Sequence, residues 1–186
     1  MFRPQRSAQH AQFEDCIMLY VCSLAKVGQV VDTVEASYLL SVINPETPVE
    51  RPKRILPENH LYLGMNDIVT ATPGFEMGSR AQVEQMIGFF QDWDRASPMV
   101  VHCWAGVSRS TASAFIAACC LRPDLSEREL AQDLRLASPS ATPNRRLVEL
   151  ADDILDRQGR MTAAIQAIGR GADCYEGNIF AMPHIG

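Results

Sequence analysis

The sequence predicts an α/β fold with a central, mainly parallel sheet of four to five strands flanked by helices. Two observations favour this class. Short apolar runs alternate with helical segments up to about residue 121, and helical patterns alone follow. Such alternation is typical of parallel sheets, in which a helix crosses over between successive strands. The 186 residues, 47% of them hydrophobic, suit one globular domain.

Four short apolar runs are interpreted as buried strands. They are residues 17–24 (IMLYVCSL), 38–43 (YLLSVI), 60–64 (HLYLG) and 98–102 (PMVVH). Each has the length of a strand and is too short for a typical helix. We expect ligands to bind beyond the carboxyl ends of these strands, as in other parallel sheets. The residues there are Ser23, Asn44, the Asn66-Asp67 pair and Cys103.

Helical segments occupy the intervals. Residues 26–35 place valines on one face, and residues 110–121 form an apolar, small-residue helix. Capping boxes at Ser79/Gln82 and at Ser126/Glu129 predict two further helix starts. Thr142-Pro143 is interpreted as the N-cap and first residue of the next helix.

These segments define three parts of the chain. We expect an N-terminal lead-in at residues 1–15, a single folded domain at 16–168 and a C-terminal tail at 169–186. Because the tail shows no clear period, we expect it to be loosely attached.

Composition argues against several functional classes. The net charge of −5 and pI near 5.3 disfavour a nucleic-acid binder, which is usually basic. No apolar run has the ~18 residues of a membrane span, and the N-terminus lacks the apolar core of a signal peptide. The six cysteines show no C-x-x-C spacing, which favours free thiols in a reducing cytoplasm.

The segment VHCWAGVSRS, at residues 101–110, carries the strongest functional signal. It joins the fourth strand to a helix and places Cys103 five residues before Arg109. The backbone N–H groups of residues 104–109 can surround a tetrahedral dianion, and the positive end of the helix adds to them. Gly106 permits a close turn, and the Arg109 fork can bind two phosphate oxygens.

The same positive field acts on the Cys103 thiol. Amide dipoles, a helix N-terminus and an arginine favour the thiolate, which is the nucleophilic form. Such a thiolate can attack phosphorus and form a phosphocysteine. Ser110, just past the arginine, can donate a hydrogen bond to the sulfur.

HCWAGVSRS resembles the signature loop of the protein tyrosine phosphatase superfamily, and its SRS ending is most similar to the dual-specificity branch. The order of elements over residues 15–157 is also similar to that fold, and the whole chain resembles small bacterial tyrosine-phosphatase-family proteins. The resemblance implies the cysteine-phosphatase fold, no metal or other cofactor, and a two-step phosphocysteine mechanism. It also implies that residues Trp104, Ala105, Gly106, Val107, Ser108 and Arg109 bind the phosphate.

The family uses an aspartate as general acid on a loop upstream of the cysteine. Asp67 fits this role, since a predicted strand precedes it and a loop containing Pro73 and Gly74 follows it. Its alternative role is to stabilise the turn, as Asn-Asp pairs often do. Glu76, later in the same loop, is the second candidate.

Several residues around the loop have two possible interpretations. By resemblance, His102 and Ser108 stabilise the loop of residues 103–109, called the phosphate loop below, although His102 is equally interpreted as a satisfied, half-buried histidine. Asn144 is either a supporting residue that bonds loop backbone or a first-turn helix residue. Trp104 forms a wall of the site or an exposed aromatic contact.

Two further groups have a structural and a functional interpretation. Cys22 is either a core residue or a resolving thiol for oxidised Cys103. The basic cluster in the loop of residues 45–59 either guides an anionic substrate or is simply solvated; it comprises Arg51, Lys53 and Arg54.

The predicted function is hydrolysis of phosphomonoesters, with phosphotyrosine proteins as the first substrate class and phosphoserine or phosphothreonine as the second. The alternatives are a phosphoinositide or small-molecule phosphatase, or a phosphate-binding pseudophosphatase. The inner loop residues Trp-Ala-Gly-Val-Ser contain no lysine, which argues against polyphosphorylated inositols. A sulfurtransferase requires neither the arginine at this spacing nor an upstream acid.

Overall fold

The computed structural model describes residues 18–185, and its centre is a five-stranded sheet in the order β3-β2-β4-β1-β5. Four strands are parallel, and β5 runs antiparallel to β1 at one edge. The predicted α/β class with a mainly parallel sheet is confirmed. The strands are β1 Leu19–Ser23, β2 Tyr38–Ile43, β3 His60–Gly64, β4 Met99–Cys103 and β5 Phe180–Met182.

Six α-helices flank the sheet within the described residues. They are α1 Val27–Thr33, α2 Arg80–Asp92, α3 Arg109–Leu121, α4 Glu127–Ala137, α5 Arg145–Ile154 and α6 Arg160–Ile168. Both predicted capping boxes are present, at the starts of α2 and α4. Helix α6 was not predicted, because its short apolar pattern does not stand out from the polar residues around it.

Two apolar clusters cover the two faces of the sheet. The alternation of side chains along β4 sends Val101 into the larger cluster and Val100 into the smaller one. Helix α1 covers the smaller cluster, and α2 to α6 pack over the larger one. Helix α3 is buried from Arg109 to Cys119, since its many small residues allow neighbouring elements to approach closely.

The start of α5 differs from the prediction. Asn144, not Thr142, is the N-cap, and its Oδ1 accepts a hydrogen bond of 3.2 Å from Leu147 N. Thr142 instead donates its backbone N–H to Val107 O at 2.9 Å. The Thr142-Pro143 pair therefore belongs to a loop that contacts the phosphate loop.

The expected loose attachment of the C-terminal segment is wrong. Phe180–Met182 forms the edge strand β5, and its Phe180 and Met182 side chains are buried. A three-residue strand is too short to show a period in the sequence. The lead-in at residues 1–15 lies outside the described residues, and the domain limits of 16–168 stay a prediction. No helix within residues 18–185 is long and apolar enough to cross a membrane.

Candidate active site

The carboxyl ends of β2, β3 and β4 meet at one cleft of about 580 Å³. Of the residues expected there, Asn44, Asn66, Asp67 and Cys103 line it, whereas the Ser23 side chain instead bonds Glu176. The cleft is lined by Asn44, Asn66, Asp67, Ile68, Phe75, Cys103, Trp104, Ala105, Val107, Ser108, Arg109 and Cys174.

Cys103 is the last residue of β4 and lies at the base of this cleft with 2% of its surface exposed. Its Sγ is 3.1 Å from Ser110 Oγ, in the first turn of α3. The predicted pairing of these two side chains is therefore present. Although Cys103 is buried, it lines the cleft, so a group bound there can be close to its sulfur.

Gly106 gives the loop its shape. Its φ of +73° lies in the left-handed region, where residues with a Cβ are strained. A Cβ built here would lie 2.9 Å from the carbonyl carbon of Cys22. Only glycine therefore allows the loop to pass this close to the end of β1.

The loop carbonyls are held by donors from three surrounding segments. The bonds are Leu24 N to Trp104 O (3.2 Å), Gly177 N to Ala105 O (2.8 Å), Thr142 N to Val107 O (2.9 Å) and Asn144 N to Ser108 O (3.2 Å). Because the N–H and C=O of a planar peptide point in opposite directions, we infer that the loop N–H groups are directed toward the cleft. These groups can then bind an anion.

Arg109 is 3% exposed, yet its hydrogen-bond partners within residues 18–185 are neutral groups. Its Nη1 donates to Asn44 Oδ1 at 2.7 Å and to Met65 O at 2.6 Å. Within residues 18–185, its buried Nε has no hydrogen-bond partner. Because a buried, incompletely satisfied guanidinium is costly, an anion in the cleft would complete its bonding.

Asp67 faces the same cleft from the loop after β3. Its Oδ1 accepts hydrogen bonds from Ser108 Oγ at 2.7 Å and from Asn144 Nδ2 at 2.8 Å. The structure thus brings the acid candidate, the phosphate loop and the start of α5 together. Glu76, the second acid candidate, is exposed and does not line the cleft; its backbone pairs with Asn66.

His102 is fully buried beneath the loop. Its Nε2 is 2.7 Å from Ser41 Oγ, which in turn is 2.8 Å from His60 Nε2; its Nδ1 forms a long contact of 3.4 Å with Cys103 O. Burial lowers the pKa of His102 to about 4, although the bond to Cys103 O acts in the opposite direction. His102 is therefore neutral at pH 7 and lies within a buried hydrogen-bonded chain.

Cys22 lies in the smaller core cluster and is fully buried. Burial, reinforced by the neighbouring Cys103, raises its pKa to about 12. A thiol that stays protonated is a poor nucleophile, which favours the interpretation of Cys22 as a core residue over that of a resolving thiol.

Trp104 is 60% exposed and forms part of the cleft wall. The basic cluster lies elsewhere: Arg51 and Lys53 line a separate cleft beside α1, and Arg54 pairs with Glu35 at 3.3 Å. Within residues 18–185, no group of three or more His, Cys, Asp or Glu side chains is arranged to hold a metal ion.

Several contributors were not predicted. Thr111 Oγ1 donates to Val107 O at 2.6 Å and to Ser108 O at 2.9 Å, which ties the loop to α3. Ser41 connects two histidines, and Gly177 reaches Ala105 from the C-terminal segment. The position of Thr111 directly after the SRS motif could have indicated its role. Ser41 and Gly177 contact residues that are far away in the sequence, and no local sequence pattern indicates such contacts.

Comparisons with known proteins bear on the fold. No family model and no curated protein sequence matches the chain. Solved structures do match. The PTP-2 phosphatase of Cydia pomonella is 19% identical, with a TM-score of 0.58, and the match covers 73% of this chain and 84% of that one. Human DUSP28 is 18% identical, with a TM-score of 0.57 over 80% of this chain and 94% of that one.

A third match is the human tyrosine phosphatase-like serine/threonine/tyrosine-interacting protein. It is 15% identical, with a TM-score of 0.55, over 75% of this chain and 92% of that one. At these identities the comparisons define the fold. The chain has the fold of the dual-specificity and tyrosine phosphatases, and the fold expected from the signature loop is confirmed.

Proposed function

We propose that this chain is a cysteine-dependent phosphomonoester hydrolase that acts through a phosphocysteine intermediate. One observation carries the proposal. Cys103 Sγ lies at the base of a cleft, 3.1 Å from Ser110 Oγ, and the buried Arg109 and the acid candidate Asp67 line the same cleft. The proposed nucleophile, anion site and proton donor therefore line one cleft.

The phosphate binds between the loop and Arg109. The loop N–H groups and the unpartnered Arg109 Nε donate to its non-bridging oxygens, which places phosphorus in front of Cys103 Sγ. Asn44 and Met65 O hold the guanidinium in place, so its orientation is set before substrate arrives.

In the first step the Cys103 thiolate attacks phosphorus. The S–P bond forms as the bond from phosphorus to the leaving oxygen breaks, and that oxygen takes a proton from the Asp67 carboxyl group. Asp67 Oδ1 already accepts two hydrogen bonds, so Oδ2 is the oxygen suited to carry the transferred proton.

In the second step water attacks the phosphocysteine. The Asp67 carboxylate takes a proton from the water as its oxygen bonds to phosphorus, and the S–P bond breaks. The sulfur leaves as a thiolate, which the Ser110 hydroxyl stabilises by donating a hydrogen bond. Inorganic phosphate then dissociates, and both groups return to their starting states.

The substrate class we propose is phosphotyrosine in proteins, with phosphoserine and phosphothreonine second. Ile68, Phe75 and Trp104 line the cleft around Cys103, and such side chains suit an aromatic ring. Among the described residues that line the cleft, Arg109 is the single cationic side chain. This argues against polyphosphorylated inositols, which carry several dianions. Since the reaction needs a reduced thiol, we also propose a cytoplasmic location.

The test is hydrolysis of para-nitrophenyl phosphate against pH, with chelator and without added metal, for the wild type and Cys103→Ser. We expect turnover that is insensitive to chelator and highest on the acidic side. In the variant it should fall by more than about 10³-fold, because the nucleophile is removed. Activity that persists in a folded Cys103→Ser protein would refute the mechanism. A folded wild type that binds phosphate without turnover would instead indicate the pseudophosphatase.

A further inference from the structure

The segment of residues 174–177 lies against the phosphate loop, although it is remote from it in sequence. Gly177 N donates to Ala105 O at 2.8 Å, and a Cβ built on Gly177 would lie 2.8 Å from Gly106 O. Cys174, in the same segment, lines the cleft that contains Cys103. The segment therefore forms part of the site as well as the connection to β5.

Glu176 fixes this segment to the end of β1. Its carboxylate accepts a hydrogen bond from Ser23 Oγ and pairs with Lys26 Nζ at 3.1 Å. Both partners hold the pKa of Glu176 below its usual range, the Ser23 bond having the larger effect. Ser23 is 1% exposed and lies opposite Cys103 in the sheet register, so the anchor point is rigid.

The turn at Gly106 has close neighbours in two segments. A Cβ on Gly106 would meet the Cys22 backbone, and a Cβ on Gly177 would meet Gly106 O. The bond from Gly177 determines the direction of the Ala105 carbonyl. Because a peptide is planar, it also determines the direction of the Gly106 N–H.

We propose that residues 174–177 are a positioning element of the phosphate loop, and that Glu176 is the residue that holds this element in place. The inference rests on the proposed function, since it concerns the same loop. Without the Glu176 anchor, Gly177 no longer orients the Ala105–Gly106 peptide. One N–H donor to the bound oxyanion is then misdirected.

The experiment is titration of tungstate, a non-hydrolysable oxyanion, into the full chain by calorimetry, together with melting temperature and hydrolysis of para-nitrophenyl phosphate. We expect Glu176→Ala to weaken tungstate binding roughly tenfold, the effect of one lost hydrogen bond to a charged group. The expected kcat is reduced by a similar factor. Glu176→Gln should restore part of the loss, because the amide oxygen can still accept from Ser23.

The matched control is Asp173→Ala. Asp173 is an exposed carboxylate immediately before the segment of residues 174–177, and it pairs with the exposed Arg170. This variant should bind tungstate as the wild type does. If Glu176→Ala and Asp173→Ala bind tungstate equally well, the inference is overturned.

A second variant avoids dependence on how well Glu176→Ala folds. Gly177→Ala inserts a methyl group against Gly106 O and should weaken tungstate binding, whereas Gly88→Ala, with open space around its Cβ, should not. A folded Gly177→Ala protein with unchanged binding would also overturn the inference. If the wild type binds tungstate but hydrolyses no substrate, the proposed function is refuted, whereas the positioning role of residues 174–177 is still tested by the binding data.

Discussion

Asp67→Asn isolates the proton transfer that the mechanism assigns to this residue. Asp67 Oδ1 accepts from Ser108 Oγ at 2.7 Å and from Asn144 Nδ2 at 2.8 Å. An asparagine amide oxygen in the same place can accept both bonds. The substitution therefore leaves the contact between the phosphate loop and α5 intact and removes only the titratable proton.

The expected loss of kcat is about 10²–10⁴-fold on phenyl phosphate, which is the usual contribution of a positioned general acid. The loss should be smaller on para-nitrophenyl phosphate, whose leaving group needs less protonation. Asp67→Ala should lose the same catalytic factor. It should also unfold about 1–3 kcal/mol more easily, since two hydrogen bonds of roughly 0.5–1.5 kcal/mol are removed.

The assay is steady-state kinetics on both substrates against pH, with urea unfolding as the measure of stability. Glu76→Gln is the matched control, because Glu76 is exposed on the same loop and lies outside the cleft lining. Wild-type turnover of phenyl phosphate by Asp67→Asn would refute the role of Asp67. Loss of activity in Glu76→Gln would point to that residue as the acid.

Two further predictions concern the buried groups of the site. The pKa of His102 is about 4 in the folded protein and about 6.5 when unfolded, so the unfolded chain binds more protons between these values. The free energy of unfolding should therefore fall by about 3 kcal/mol between pH 7 and pH 4 on account of His102. Urea unfolding of His102→Gln should show a smaller decrease in this free energy between pH 7 and pH 4. An equal decrease in the wild type and the variant would contradict the prediction. Arg109→Lys should lower kcat/KM about 10²–10³-fold, since an ammonium group cannot replace the planar guanidinium that Asn44 and Met65 hold in place. The surface substitution Arg80→Lys serves as control, and a loss below tenfold in Arg109→Lys would be contrary evidence.

The strand, turn and helix start around Cys103 and Arg109 could be predicted because these parts are close in the chain. A buried strand, a tight turn at Gly106 and a helix start at Arg109 follow one another within residues 99–121. Each of these features depends on local backbone geometry and on the chemistry of a few side chains. The positions of β2 and β3 were likewise predicted correctly, since uninterrupted apolar runs show buried strands directly.

The partners that complete the site could not be predicted in the same way. Asp67 meets Asn144, His102 meets Ser41 and Arg109 meets Asn44, each across a large separation in the chain. Hydrogen bonds between distant residues leave no periodic signal in the sequence. The helix start at Asn144 was misplaced for a related reason, because the contact of Thr142 with the phosphate loop determines where α5 begins.

The sequence by itself thus determined the fold class and the cysteine–arginine loop, whose physics is local. The tertiary structure decided which carboxylate faces that loop, and it placed the C-terminal segment on the loop through Gly177 and Glu176. Both contacts follow from the order of the strands in the sheet and from the segments that cross the strand ends. The strand order depends on burying the apolar faces of all elements together, so it cannot be deduced from any single segment of the sequence.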